Sequence, residues 1–352
     1  MINFKLFKNG IIYFFYLLII TLIGSEIIIR NSSKWIPDQL VEYLSPKALE
    51  NIISDRGQIE DKDPPVYHYR PFQKLNWYPH ITIDENGYRN SAINQTEVDI
   101  VILGDSITFA KDSKVEIGDL FREEGLSALN LGMSGYGPQY YRDVYKKYVI
   151  EKGIKHKNVI VNIFVGNDFS DAVRYPSFKL PTSKGKAYYP WIINLMIGAF
   201  DLQNNIRAYD IDIKESAHKI SLPYKKIGIR YLWWTPEPSD IEWKETEKAL
   251  NEIIDLAKRE DARVSFVIIP SPASVYGEEI YPDFINFVER HNKIINQFRE
   301  IFYNIDIIDL NKKLAKEIEK EFLYIAESDC HFNTYGTKIF FDIINKQLKI
   351  KA

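Results

Sequence analysis

At 352 residues, with 45% hydrophobic and 26% charged residues, the chain has an ordinary globular composition, enough for one large domain with extensions. A formal charge of -3, with acidic and basic residues interspersed and no long Lys/Arg cluster, leaves no electrostatic footprint for nucleic acid. The single cysteine, Cys330, excludes an intrachain disulfide and a cysteine-based zinc site.

Residues 11–24 form an unbroken apolar run, which Ile27, Ile28 and Ile29 extend past Ser25 and Glu26 to about 19 residues. At ~1.5 Å per helical residue the run covers roughly one hydrocarbon core. Lys5 and Lys8 precede it with no nearby acid, so the positive-inside rule puts the N-terminus in the cytoplasm and the remainder outside, periplasmic or at the cell surface. Gly24 and Ser25 are small enough to flank a cleavage site, but Ile23 breaks the small-x-small pattern. An uncleaved single-pass anchor over residues 1–30 is therefore the expectation, and a cleaved signal peptide exports the domain equally. Glu26 is tolerable only near the outer interface. The apolar stretch 191–200 is too short to span and reads as core or lid.

Residues 31–95 carry scattered prolines, aromatics and charges with little periodicity, as expected of a connector that wraps a domain. Within it, Asp84, Glu85, Asn86, Gly87 and Tyr88 read as a turn. From residue 98 the pattern changes. Short runs rich in branched residues at 98–103, 128–131, 159–165, 264–269 and 305–308 read as buried strands. They are separated by helical patterns at 139–152, 244–259 and 283–301, with a last helix at 335–348. Strands alternating with amphipathic helices imply a three-layer α/β/α sandwich on a central parallel sheet, here over residues 96–350. The interval 171–243, rich in Tyr, Pro and Trp, breaks the alternation and reads as an insertion, either a substrate cleft or lid or a structural flap.

The chemistry sits at the strand ends. Gly104, Asp105, Ser106 follow the first strand, where a serine hydroxyl and its own N–H face a substrate oxygen. Taken singly the tripeptide is an ordinary turn. Three further blocks follow in order, however: Asn130 to Gly137 with its glycines, then Gly166, Asn167, Asp168, then Asp329, Cys330, His331 ahead of the last helix. Together they supply the parts of an acyl-transfer site.

This ordered set resembles the SGNH (GDSL-like) hydrolase superfamily over roughly residues 98–348, and residues 84–89 resemble a stretch found ahead of this block in membrane-anchored bacterial members. The resemblance implies an SGNH/flavodoxin-like fold, Ser106 as nucleophile, His331 as general base and Asp329 as the triad acid. It implies an oxyanion hole from the N–H groups of Ser106 and Gly135 and the side-chain amide of Asn167. The commoner family pattern has aspartate three residues before the histidine, where this chain has Ser328. Asp329 stands two before, which leaves Glu327 or a backbone carbonyl as alternative orienters of the imidazole.

His68, His80, His156, His218 and His291 share no spacing, so no metal or other cofactor is expected and these read as surface or satisfied core residues. Cys330 reads as filler beside the triad, and Asp168 as a brace for its loop. Trp233, Trp234 and Trp243 fit either sugar stacking or core packing. The expected function is an extracytoplasmic serine esterase that removes or transfers O-acyl groups, acetyl foremost, on envelope or exported carbohydrate. The other readings are an O-acyltransferase partner of a polysaccharide-modifying system, a lipid esterase, and a non-catalytic carbohydrate-binding module on the same fold. The sequence identifies no protein partner.

Overall fold

The structure, a computed structural model, describes residues 4–32, 36, 40, 43–44, 58–61, 64, 66–75, 80–91, 96–175, 189–201, 218–222, 226–229, 235–325 and 329–349. It divides into two compact units, Met1–Gln58 with Lys179–Glu215, and Ile59–Phe178 with Ser216–Ala352.

The second unit is built on five parallel strands, β1 Glu97–Leu103, β2 Ala128–Asn130, β3 Lys155–Phe164, β4 Arg263–Ile269 and β5 Asp306–Asp309, in the order β2-β1-β3-β4-β5. Each expected strand is present. Both faces are covered, which is why the runs are continuously apolar rather than alternating. Val101 and Leu103 of β1, Val159, Val161 and Ile163 of β3, and Phe266 and Ile268 of β4 enter one core; Ile100, Ile102, Ile160, Phe164, Val267 and Ile269 enter the other. The period of two thus survives as a division between two buried faces.

Nine α-helices of this unit lie among the described residues. They follow the N-terminal helix α1 (Phe4–Asn31) of the other unit, and so begin with α2 Ser106–Phe109, α3 Ile117–Glu123, α4 Pro138–Tyr145 and α5 Asp168–Arg174. After α6 (Trp191–Asp201), also in the other unit, come α7 Asp240–Arg259, α8 Pro272–Glu279, α9 Ile285–Ile301, α10 Asn311–Ile318 and α11 Thr334–Leu348. The first core is completed by apolar faces of α4, α5, α7 and α9, the second by α3, α8, α10 and α11. This is the expected three-layer sandwich. The helical pattern at 139–152 divides into α4 and a π-helical turn, Lys146–Ile150. Helices α3, α8 and α10 were not expected; they have eight residues or fewer, too short for periodicity to stand out.

Residues 84–88 form the expected turn, and Arg89 and Asn90 follow it. Asp84 Oδ1 accepts from the N–H groups of Asn86 and Tyr88 at 2.8 and 2.9 Å, and its Oδ2 from Asn90 Nδ2 at 2.7 Å. Asn90 pairs with the backbone of Asn130 at the end of β2, at 2.9 and 2.8 Å. The buried Arg89 guanidinium donates to the carbonyls of Phe109, Ala110 and Ser113. Ala110 has φ +53°, a left-handed conformation that stops α2 after one turn and leaves Phe109 O without a helical partner. Arg89 supplies one, and shares Ala110 O with the N–H of Ser113.

In the first unit, α1 is 28 residues long, and its part Ile11–Asn31 is long and apolar enough to cross a membrane, with none of its most apolar window buried. The helix α6, expected as core or lid, buries Trp191, Asn194 and Gly198 and exposes Ile193, Met196, Ile197 and Phe200. These four are therefore not core.

Arg89→Met is expected to leave buried carbonyls unpaired and to cost about 3 kcal/mol, read as a lowered Tm in detergent. An unchanged Tm would show that the guanidinium contributes nothing to holding this turn.

Candidate active site

Strand β1 ends at Leu103, and within three residues the chain has turned into α2. A Cβ on Gly104 would lie 2.0 Å from Thr108 Oγ1, so the turn closes only with glycine. Asp105 caps α2, its carboxylate accepting from Ile107 N at 2.9 Å. Burial pushes that carboxyl above its ordinary range, against the Ile107 N–H and the charge of His331. The turn is pinned from below: Asn162 on β3 donates to Thr108 Oγ1 at 3.0 Å, and Asn130 on β2 donates to Thr108 O at 3.1 Å and Glu116 Oε2 at 2.6 Å. Ser106 is the first residue of α2, so its N–H has no partner within the helix.

The histidine comes from the other end of the chain on a tightly tied loop. Tyr324 bridges Phe332, Ile325 N donates to His331 O at 3.0 Å, and Asn333 N donates to Leu323 O at 2.9 Å. The Asn333 side chain donates to Phe322 O and Tyr324 O at 2.7 and 3.0 Å, while its Oδ1 accepts from Gly336 N at 2.8 Å and so caps α11. One asparagine thus fixes both the loop and the helix that follows.

The loop brings His331 Nε2 to 2.8 Å from Ser106 Oγ, across 225 residues of sequence. On the opposite side of the ring, Nδ1 lies 2.6 Å from Asp329 Oδ1, which also accepts from His331 N at 2.8 Å. The spacing of two lets one carboxylate oxygen hold both ring and backbone of the same residue. Glu327 and Ser328 lie outside the described residues. Burial lowers the affinity of His331 for a proton, but the bond to Asp329, its charge and that of Asp105 outweigh it, and the pKa stands above the ordinary histidine value. Burial likewise works to raise Asp329, and is outweighed by its two bonds from His331 and the imidazolium charge, so that carboxyl stands low. A neutral ring in this frame carries its proton on Nδ1 toward Asp329 and accepts from the serine at Nε2.

Gly135 has φ +80°, and a Cβ there would lie 2.7 Å from the hydroxyl of Tyr67, itself held by Ser134 O at 2.8 Å. Its N–H has no acceptor among the described residues. Asn167 stands at the N-cap position of α5 without a side-chain cap bond, and its Nδ2 donates to Asp171 Oδ2 at 2.7 Å. An amide nitrogen carries two hydrogens, so one remains. Asp171 was missed in the sequence; the signal was the spacing of four from Asn167 at a helix start. Burial pushes Asp171 up to about 6, against the Arg174 charge and the Asn167 bond.

Other candidates take plain roles. Asp168 is fully buried and accepts from Tyr141 Oη at 2.8 Å and Phe164 N at 3.0 Å, bracing its loop. The Cys330 thiol is buried and its pKa is pushed far up by that burial, so it is unreactive. Asp329, Cys330 and His331 bring one donor atom each within 4.8 Å of one another, but both His331 ring nitrogens are already engaged. His156 meets Tyr145 Oη at 2.6 Å, and His291 meets Asp309 at 2.8 Å. Trp243 packs in the core against Phe169 and Phe298, at ring distances of 4.7 and 5.3 Å. Trp233, Trp234 and the His218 side chain lie outside the described residues.

No protein-family model matches the chain, and no curated protein matches it. Among solved structures it is similar to a GDSL-like lipase from Bacteroides thetaiotaomicron, at 13% identity over 71% of this chain and 87% of that one, with a TM-score of 0.36. It is also similar to a catalytic mutant of an acetylxylan esterase from Geobacillus stearothermophilus, at 13% identity over 72% and 95%, TM-score 0.39. A third is an alpha/beta hydrolase from the metagenome of Lake Arreo, Spain, at 14% identity over 71% and 94%, TM-score 0.39.

The coupling of His331 to Asp329 sets a measurable order. By NMR titration the His331 ring is expected to lose its proton above the ordinary pKa of about 6.5. Asp329→Asn removes the largest influence that raises the value and leaves burial opposed by the charge of Asp105, so the value is expected to fall. An unchanged titration in Asp329→Asn would mean that another group orients the ring.

Proposed function

We propose that this chain is a membrane-anchored, extracytoplasmic serine ester hydrolase of the SGNH type, acting on O-acyl groups of envelope or exported carbohydrate. The observation that carries the reading is the 2.8 Å approach of Ser106 Oγ to His331 Nε2, with Asp329 at 2.6 Å on the other ring nitrogen. The four ordered motifs support the SGNH assignment. The apolar helix α1 supports the anchor, and the two lysines before it support an outside location for the rest.

A serine hydroxyl is a weak nucleophile at neutral pH, and the ring removes that obstacle. Neutral His331 takes the Ser106 proton as Oγ attacks the ester carbonyl; Asp329 stabilises the imidazolium. The carbonyl oxygen becomes an oxyanion, met by the N–H groups of Ser106 and Gly135 and the second Nδ2 hydrogen of Asn167. Asp171 aims that amide by holding the first. Collapse expels the alcohol, which takes the proton back from His331 and leaves an acyl-Ser106 ester. Water or a sugar hydroxyl then attacks, losing its proton to His331, and Ser106 is restored. Hydrolysis and transfer share everything up to that last nucleophile.

With p-nitrophenyl acetate, Ser106→Ala is expected to release p-nitrophenol no faster than buffer, and Asn167→Ala to slow turnover about 100-fold, near 3 kcal/mol. Wild-type rates in Ser106→Ala would refute the assignment of the nucleophile. Adding an oligosaccharide acceptor separates the two outcomes: free acetate marks a hydrolase, and acetylated acceptor marks a transferase.

A further inference from the structure

We propose that α6, Trp191–Asp201, is an interfacial helix: it docks on the outer end of α1 and lays the apolar face of Ile193, Met196, Ile197 and Phe200 into the lipid surface. The inference rests on the reading of α1 as a membrane span and goes beyond it.

The docking is built from the two charged residues in the apolar part of α1. Glu26 uses one carboxylate oxygen for Arg30, whose Nε donates at 2.7 Å, and the other for Ile192 N at 3.0 Å, in the first turn of α6. Arg30 in turn lies over the Trp191 ring, 4.8 Å from its centroid. A carboxylate facing a helix N-terminus is favourable, because that end presents unpaired N–H groups and partial positive charge. An acidic residue that is costly within hydrocarbon is thereby neutralised twice, by a cation and by a helix end. The apolar residues before Glu26 account for most of a hydrocarbon core, so the contact falls at its outer edge.

The remaining contacts of α6 decide which face is free. Trp191 packs in a small core with Ile36 and Leu44, and Gly198 approaches Tyr43 so closely that a Cβ would lie 2.6 Å from its ring. Trp191, Asn194 and Gly198 thus face inward. Ile193, Met196, Ile197 and Phe200 recur at helical spacing on the outward side, with Met196 and Phe200 each 63% exposed. Leaving four such side chains in water is unfavourable, and a lipid surface at this level of α1 removes them from it. Tyr189, just before the helix and exposed, is a residue type that favours the same headgroup zone.

The test uses the full chain in phosphatidylcholine–phosphatidylglycerol vesicles, with an environment-sensitive fluorophore placed singly through Met196→Cys, Phe200→Cys or, as the anchor control, Leu18→Cys. Buried Cys330 is expected to stay unlabelled, with wild type as the blank. Labels at 196 and 200 are expected to show blue-shifted emission, quenched more by nitroxides near the lipid headgroup than by nitroxides near the bilayer centre. The label at 18 is expected to show the reverse preference. Water-like emission at 196 and 200 with a deep label at 18 overturns the interfacial helix and leaves the anchor standing. Blue-shifted but unquenched labels at 196 and 200 also overturn it, because protein then covers that face. A water-like label at 18 removes the anchor and the inference together.

Discussion

The hydrogen bond between Ser106 and His331 joins the turn after the first strand of a parallel sheet to a loop near the C-terminus, and a network of buried polar groups holds the serine side in place. A bond of 2.8 Å tolerates little error, whereas the residues it joins are 225 apart in sequence. Strand β1 aims the serine, and the Asn333 clasp aims the histidine. Neither alone suffices.

Around the serine, buried polar groups take the place that apolar packing holds elsewhere. Asp84, Arg89, Asn90, Glu116, Asn130 and Asn162 are all buried, and their bonds run to α2 and the turns that frame it, to α3 or to one another. Such a network is unforgiving, because any member left unpaired pays its desolvation in full. That rigidity suits a site where donors must stand ready for charge that develops only in the transition state. Asp329 and Asp105 then set the electrostatics. Both favour the imidazolium, the form that the proposed mechanism needs between its two proton transfers.

The strands were legible because a doubly covered parallel sheet demands continuous apolar runs, and the five runs have no other simple explanation. The first three blocks stood out because they follow strands at carboxyl ends, where ligands of open α/β sheets bind; the Asp329 to His331 block follows no strand and stood out only by its residue types. The short helices were not, since four to eight residues carry too little periodicity. Asp171 was hidden for a different reason: an acid four residues after an asparagine looks like any helix start until the amide is seen to donate to it. Arg89 was hidden because its partners are carbonyls, which no side-chain pattern records. The segment 191–200 showed its apolarity plainly, but its length fitted core, lid and interface alike; only the contacts to Glu26 and Tyr43 separate its faces.

The central claim is that Ser106 is a nucleophile activated by His331. Incubating the full chain with a fluorophosphonate and measuring intact mass, followed by peptide mapping, tests it most directly. A single phosphonyl adduct on Ser106 is expected, absent from Ser106→Ala and formed far more slowly in His331→Ala. A folded wild-type chain that gains no adduct, or an adduct that persists in Ser106→Ala, would contradict it.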